Sequence, residues 1–431
     1  MLNSQTFVHN TSLEGSIKPT EGLFLAVYLR NMESSEANIP NDTKCSLLWK
    51  HICIRPQFIQ LPCCRYIPSD KNESVKSSTD IHLNSPSLVD IRKKMIANEP
   101  ITGCKACYSE EGSGGRSLRL KSNQEFEFPE TLKPEADLKD IEYLEFFVGS
   151  VCNLKCMYCS PHLSTSLKKD YHQLGWVYSD FAGISDFGSE DDPELYQVIG
   201  QLENLNKIKF VGGEPFLNKN HNDWIKDLTK EQAQKLELIY YTNGTQRPTQ
   251  KTIEAWKNSR KVQLWLSIDA LGTQNDYLRM NSNWSEIEKN VDFYYTLTSD
   301  LPHLEIYLNM TVTPFNVFSI KDVEEWFNKL QLKFFDELKT EAYLTYVIDP
   351  QEFSLDFAPA SMLEELNKRD ISELSRQHQK IISSANLRRA PEELRSTRQK
   401  EFLDKVSAFD RIRNSSFPLS FPNAFKHYSN T

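Results

Sequence analysis

Three cysteines, Cys152, Cys156 and Cys159, stand in the segment SVCNLKCMYCSP at CxxxCxxC spacing. Thiolates this close on one short loop can each take one iron of a cubane cluster, which leaves the fourth iron without a protein ligand. An iron with an open position can bind and reduce a second molecule; a site closed by four thiolates cannot. The competing reading is a structural zinc with a distant fourth ligand, although zinc sites generally use paired CxxC spacings. Further along stands FVGGEP, Phe210 to Pro215. Gly212 and Gly213 expose backbone carbonyls and amides with no side chain in the way, so a ligand's ammonium group can approach the main chain, with Glu214 as a nearby anionic acceptor. On its own GGEP is an ordinary turn, but one βα unit after CxxxCxxC the two read together as one site.

A second group of cysteines precedes these. Cys104 and Cys107 form a CxxC clamp, and Cys45 with one of the adjacent Cys63 and Cys64 completes a possible four-thiolate set, for an iron-sulfur cluster or a structural zinc. Cys53 reads as a buried apolar residue and His51 as a core or surface residue rather than a ligand. The count of nine is odd, and seven of the nine lie in CxxC, CC and CxxxCxxC arrangements. Such clustering points to metal in a reducing compartment rather than to a disulfide framework.

These groups need a scaffold. At 431 residues the chain is expected to form two or three domains, or one large α/β domain with additions. With 39% hydrophobic and 25% charged residues, collagenous, low-complexity and wholly disordered classes are excluded. The 50 Lys and Arg against 59 Asp and Glu give a net charge of −9, the wrong balance for tracking phosphates, so no nucleic-acid partner is expected. The longest apolar run, Leu23 to Leu29, is far short of the roughly 20 residues a spanning helix needs. MLNSQTFVHN has neither a basic n-region nor an apolar h-region. The expectation is a cytoplasmic protein with no membrane association.

From about Ile141, short apolar runs alternate with helical periodicity: YLEFFVG (143–149), KIKFVG (207–212), LELIYYT (236–242), VQLWLSID (262–269), LEIYLNMTV (304–312) and AYLTYVID (342–349). Asp192 and Pro193 start a helix with Leu195, Val198, Ile199 and Leu202 on one face, and Val323, Trp326, Phe327 and Leu330 repeat that spacing. Six alternations predict an α/β fold with a parallel sheet and right-handed crossovers, open or curled into a partial barrel. The connection from 161 to 205 exceeds one crossover helix, and SDFGSEDDPE reads as an insertion there. Residues 41–125 read as poor in regular structure apart from a helix over about Ser87 to Asn98, capped by Ser87, with Leu88, Ile91 and Met95 on one face. Bound metal is the natural staple for such a region. Residues 1–40 form an extension. After Pro350 the chain, 351–431, reads as helical and charged, broken at Pro391, with Phe402, Val406 and Phe409 as an apolar stripe that covers an open end or edge of the sheet.

CxxxCxxC after the first strand and GGEP after the second resemble the radical S-adenosylmethionine (radical SAM) superfamily. The resemblance implies a partial (β/α)6 TIM-type barrel over 140–350 and a 4Fe-4S cluster on Cys152, Cys156 and Cys159. S-adenosylmethionine (SAM) would chelate its open iron and be cleaved by one electron to methionine and a 5′-deoxyadenosyl radical that abstracts hydrogen from a substrate. The resemblance also implies an electron donor such as a flavodoxin or ferredoxin. Strand ends are where ligands of parallel α/β folds bind. In the family, the positions of Thr242, Asn243 and Gly244 and of Ser267, Ile268 and Asp269 often contact the ribose and carboxylate of SAM. Asn309, Thr311 and Val312 fall where adenine is contacted, and Tyr158 where an aromatic residue lies beside it. Thr242, Asn243, Gly244, Ser267, Ile268 and Asp269 each also read as cap or turn residues.

The amino-terminal cysteines resemble the twitch module, a shortened SPASM domain, here at 41–125 and ahead of the core, as in twitch-domain radical SAM proteins with a similar PCC and SGGRSLR. In that pattern Cys63, which follows Pro62, is favoured over Cys64. The implied ligand set is Cys45, Cys63, Cys104 and Cys107 around a second 4Fe-4S cluster, as an electron relay or a staple. The likeness covers most of residues 45–350. The substrate it implies is a peptide or a small molecule. The competing class is a non-catalytic iron-sulfur or zinc protein whose clusters hold a surface for a partner.

Within SGGRSLRL (113–120), Arg116 and Arg119 have three readings: anchors for an anionic substrate group, partners of acidic residues inside the protein, or parts of a solvated linker. Tyr346 and Asp349, near the end of the sixth run, are further candidate substrate contacts.

Overall fold

The computed structural model describes residues 42–55, 59–68, 75–76, 81–112, 115–177, 196–347, 350–369 and 374–429. Its strands are β1 (His51–Arg55), β2 (Ile59–Leu61), β3 (Val75–Lys76), β4 (Tyr143–Phe147), β5 (Lys155–Cys156), β6 (Lys207–Val211), β7 (Glu237–Thr242), β8 (Lys261–Ser267), β9 (Arg279–Met280), β10 (Leu304–Val312) and β11 (Ala342–Tyr346). Nine of them form one sheet in the order β11-β10-β8-β7-β6-β4-β1-β2-β3, and β5 pairs separately with β9. The six apolar runs are β4, β6, β7, β8, β10 and β11, and every neighbouring pair among them is parallel. Helices such as Gln250–Asn258, Trp284–Leu297 and Ile320–Phe334 make the crossovers. Val323 and Phe327 of the last are fully buried, as their spacing predicts. Among the described residues the sheet ends at β11 on one side and β3 on the other, so the arc stays open: a partial (β/α)6 barrel of TIM type.

The two faces of the arc differ in chemistry. Leu144, Phe146, Ile208, Phe210, Leu264 and Leu308 pack into the core. In β8 and β10 the alternate residues, including Trp265, Ser267, Tyr307 and Asn309, are only half-buried. A parallel sheet covered on both faces has apolar residues throughout; here the alternation marks an interior with room in it.

The segment read as a separate module is joined to the core through this sheet. β1 pairs in parallel with β4, Cys53 beside Glu145, and antiparallel with β2. Helix Leu118–Glu125 then crosses the open interior: Lys121 Nζ donates to the Tyr343 hydroxyl on β11, Lys207 on β6 pairs with Glu125, and Phe126 stacks on Tyr143 of β4 at 5.8 Å. This region therefore holds more regular structure than its cysteine-rich sequence suggested, because five-residue β1 carries too short a pattern to read alone. Its helix spans Pro86–Ile96. Ser85, not Ser87, is the cap, since the Ser85 hydroxyl accepts from Leu88 N and Pro86 takes the first helical position, where no N–H is needed.

The extension 1–40, SDFGSEDDPE and the Asp192–Pro193 helix start lie outside the described residues. Beyond that start, the described chain is 3-10 rather than α-helical, at 196–197 and Ile199–Gln201, with Val198 and Leu202 buried beside it. After Pro350 the chain is helical as expected. Pro391 caps helix Glu392–Arg413, whose Phe402, Val406 and Phe409 are buried, and Phe402 packs against Phe315 and Phe353. Among the described residues no helix is long and apolar enough to cross a membrane.

Candidate active site

The cysteine loop leaves β4 through Gly149, which has φ +126°. Its backbone is fastened from two sides. The next helix, Thr165–Leu174, reaches back: Thr165 N donates to Ser150 O at 2.9 Å, the Ser166 hydroxyl to Cys152 O at 2.8 Å and the Ser164 hydroxyl to Leu154 O at 2.6 Å. On the other side Cys156 pairs with Arg279 across β5 and β9, and Met157 N donates to Leu278 O at 2.8 Å. The three thiols are free and half-buried. Burial pushes all three up, Cys152 to about 12, so binding a metal must release their protons.

The GGEP segment forms the wall beside this loop. Gly213 N donates to Gly149 O at 2.9 Å and Glu214 N to Val151 O at 2.8 Å. Gly212 has φ +127°, and a Cβ on Gly213 would stand 2.2 Å from Val151 O. Only glycine permits that approach, so the amides of Gly213 and Glu214 are spent on the cysteine loop. The Glu214 carboxylate is fully buried. It accepts from the Thr242 hydroxyl at 2.8 Å and Asn243 N at 2.7 Å, which ties the end of β6 to that of β7. Burial raises its pKa to about 7, against the pull of those hydrogen bonds. The Asn243 amide nitrogen lies 3.8 Å from Cys152 Sγ and donates to Asn153 at 3.1 Å.

Asp269, at the end of β8, is the hub of the other wall. Fully buried, it accepts from the Tyr158 hydroxyl, from Arg279 Nε at 2.6 Å and from Thr311 N at 2.7 Å. Arg279 in turn places Nη1 3.9 Å from Cys156 Sγ. Burial acts against its charge, but Asp269, Cys156 and Tyr158 outweigh it, and the guanidinium stays protonated. The structure thus gathers Cys152, Cys156, Cys159, Tyr158, Gly212, Gly213, Glu214, Asn243 and Asp269. Ser267 and Asn309 are in register on the half-buried interior face. Val312 is fully buried, on the apolar side of β10. Arg279 was missed: an arginine ending a short helix carries no signal until β5 and β9 pair.

In the amino-terminal group, burial pushes the Cys63 thiol up, and the neighbouring thiols of Cys64, Cys104, Cys45 and Cys107 push the same way. Cys64 is turned toward Glu145 and Lys209 of the barrel interior, and Cys53 is fully buried. His51 is buried, lies 3.3 Å from Pro62 O through Nδ1, and is held neutral by burial, its pKa lowered to about 4. Arg119 takes the internal-pairing role: it is buried, pairs with Glu111, and donates to Asp42 O and Lys44 O at 2.8 Å each. Arg116 is exposed and bonds Gln124. The Tyr346 hydroxyl donates to Lys380 O at 3.1 Å; Asp349 lies outside the described residues. Among the described residues no three His, Cys, Asp or Glu side chains are grouped as ligands of a single ion. Thiolates on separate irons of a cubane stand further apart than those sharing one zinc at about 2.3 Å.

Residues 146–326 match the Radical SAM superfamily. The chain carries a radical SAM domain. Among curated relatives, a GTP 3',8-cyclase of Vibrio vulnificus (strain YJ016) is 30% identical over 131 residues, 30% of this chain and 34% of the relative. That of Vibrio atlanticus (strain LGP32) is 24% identical over 205 residues, 46% of this chain and 54% of the relative. The chain thus spans between about a third and about a half of the length of these relatives. Of solved structures, anSMEcpe with bound AdoMet is 20% identical with a TM-score of 0.35, covering 52% of this chain and 58% of that one. Streptococcus suis SuiB bound to precursor peptide SuiA is 12% identical with a TM-score of 0.32, covering 77% and 67%.

Proposed function

We propose that this chain is a radical SAM enzyme in which Cys152, Cys156 and Cys159 hold a 4Fe-4S cluster and a substrate is held against the interior face of the barrel. One observation carries the reading: three free thiols share a loop whose backbone is clamped by the GGEP strand end on one side and by β9 on the other. The donor set suits the group, since three thiolates leave one iron open. When bound, cluster and SAM supply one electron and a carbon-sulfur cleavage that yields methionine and a hydrogen-abstracting 5′-deoxyadenosyl radical.

The chain's own residues position and shield. Glu214, through Thr242 and Asn243, locks two strand ends together and sets the Asn243 amide beside Cys152. Asp269 fixes Tyr158 and Arg279, and Arg279 brings positive charge to the Cys156 sulfur, where thiolate charge must be offset. Ser267 and Asn309 present polar groups to the interior. Helix Glu392–Arg413 covers the loop from outside and excludes water.

The amino-terminal set, Cys45, Cys63, Cys104 and Cys107, is proposed to hold a second 4Fe-4S cluster, closed by four thiolates, as relay or staple. A flavodoxin or ferredoxin would supply electrons in the cytoplasm. The substrate is a peptide or a small molecule; GTP is the first small molecule to offer, because the curated relatives are GTP 3',8-cyclases. Anaerobic reconstitution tests the reading. Reduced, iron-loaded protein should release 5′-deoxyadenosine from SAM, and its absence from fully loaded protein would favour a non-catalytic iron-sulfur scaffold instead.

A further inference from the structure

A second guanidinium reaches the cysteine loop from the far end of the chain. Arg413 closes helix Glu392–Arg413, and its side chain is 2% exposed. Nε donates at 2.8 Å to Asp170, equally buried, on the helix after the cysteine loop. The other oxygen of Asp170 holds Lys155 Nζ at 2.5 Å, one residue before Cys156. Nη1 lies 3.9 Å from Met157 Sδ, between Cys156 and Cys159, and the guanidinium carbon stands 4.0 Å from the centroid of the Phe409 ring. Every part of this group is thus fixed except one: Nη2 is buried and has no hydrogen-bond partner among the described residues. An unpaired buried N–H is costly and rarely kept without a use. Arg279 spends Nε on Asp269, whereas Arg413 has a whole donor to spare.

We propose that Arg413 is a positioning residue of the cysteine-loop site, whose Nη2 donates to a sulfur of the cluster at its Cys156 corner while Asp170 holds the guanidinium in place. This rests on the reading of Cys152, Cys156 and Cys159 as cluster ligands. A hydrogen bond to cluster sulfur favours the more negative, reduced state and raises the reduction potential. The carboxy-terminal helix would then tune the redox site as well as cover it.

The test is an EPR-monitored redox titration of the anaerobically reconstituted full chain, with iron content measured on each sample. In Arg413→Gln the ratio of reduced to oxidised cluster at the wild-type midpoint should fall about tenfold, equivalent to about 59 mV for one electron. Arg413→Lys, which keeps the charge, should recover part of that, and Asp170→Asn should shift the ratio the same way by less. If Arg413→Gln does not assemble, Arg413→Lys against wild type carries the test. A wild-type potential in a loaded variant would overturn the proposal. So would weaker SAM binding at an unchanged potential, which would assign the arginine to the cofactor, or iron loss with the remaining cluster unshifted, which would leave it a purely structural role. If wild type and Cys156→Ala hold equal iron, it is the ligand assignment beneath the proposal that fails.

Discussion

Cys152, Cys156 and Cys159 share one loop, while Cys45, Cys63 and the pair Cys104 and Cys107 come from three segments of the chain. The two groups are also held differently. The loop is fixed mainly through its backbone, by amides of Gly213, Glu214, Thr165 and Met157 and by the β5–β9 pairing. The amino-terminal group is joined by a backbone bond, Ile67 N to Gly103 O at 3.1 Å, and by side chains: Arg119 with Glu111 and the carbonyls of Asp42 and Lys44, Arg65 with Glu110 at 2.5 Å, and Cys45 N on Met95 Sδ at 3.1 Å. A site clamped by backbone at neighbouring strand ends tolerates changes elsewhere in the chain. One assembled largely by side chains from distant segments leans more on single contacts, above all on the buried Arg119–Glu111 pair.

The largest expected effect separates the two sites outright. Cys156→Ala should halve an iron content of about eight per chain and abolish 5′-deoxyadenosine formation. Cys104→Ala should remove the other half and leave SAM binding in place. Loss of well over half of the iron from either variant would show that the sites do not assemble independently. Next comes Arg119→Met, which leaves Glu111 buried without its partner. Breaking such a pair costs about 3–5 kcal/mol, and urea denaturation should find the loss concentrated in residues 42–125. Gly213→Ala forces a Cβ into Val151 O. We expect a loss of about 1–3 kcal/mol, as for other overpacked sites, with iron lost from the cysteine loop and not from the amino-terminal site.

How much of this could be read from sequence divides along the same line. CxxxCxxC and GGEP are local motifs on strands long enough to show their pattern, so the six core strands and the loop between them were legible. Arg279 and Arg413 were not, because each meets Cys156 or Met157 only through tertiary contacts, Arg413 across 256 residues of chain. The joining of β1 to β4 was hidden too: HICIR is five residues long, too short a pattern to read as a strand of the sheet. Glycines in GGEP were read for what they expose, whereas their tight fit against Val151 becomes visible only when both strand ends are in place.

Smaller effects refine the comparison. Glu214 has its pKa raised from 4.5 to about 7 by burial, so the folded chain holds this proton more tightly than the unfolded one. Its contribution to stability is present in full below about pH 4.5 and is lost as pH rises through about 7. Cluster-free protein should therefore lose stability over that range, and Glu214→Gln should flatten the slope in chemical denaturation; an unchanged slope would remove Glu214 as its source. Smallest of all, Cys64→Ala should leave the iron count unchanged where Cys63→Ala lowers it, since after burial Glu145 acts most on Cys64, whereas Cys104, Cys45 and Cys107 as well as Cys64 act on Cys63. The reverse order would exchange their roles.

The most direct test of two sites, one open to SAM and one closed, is the EPR spectrum of the reduced protein with and without SAM. Added SAM should change one signal that disappears in Cys156→Ala and persists in Cys104→Ala, and should leave the second signal untouched. A spectrum that SAM does not alter, in protein carrying both clusters, would contradict the account.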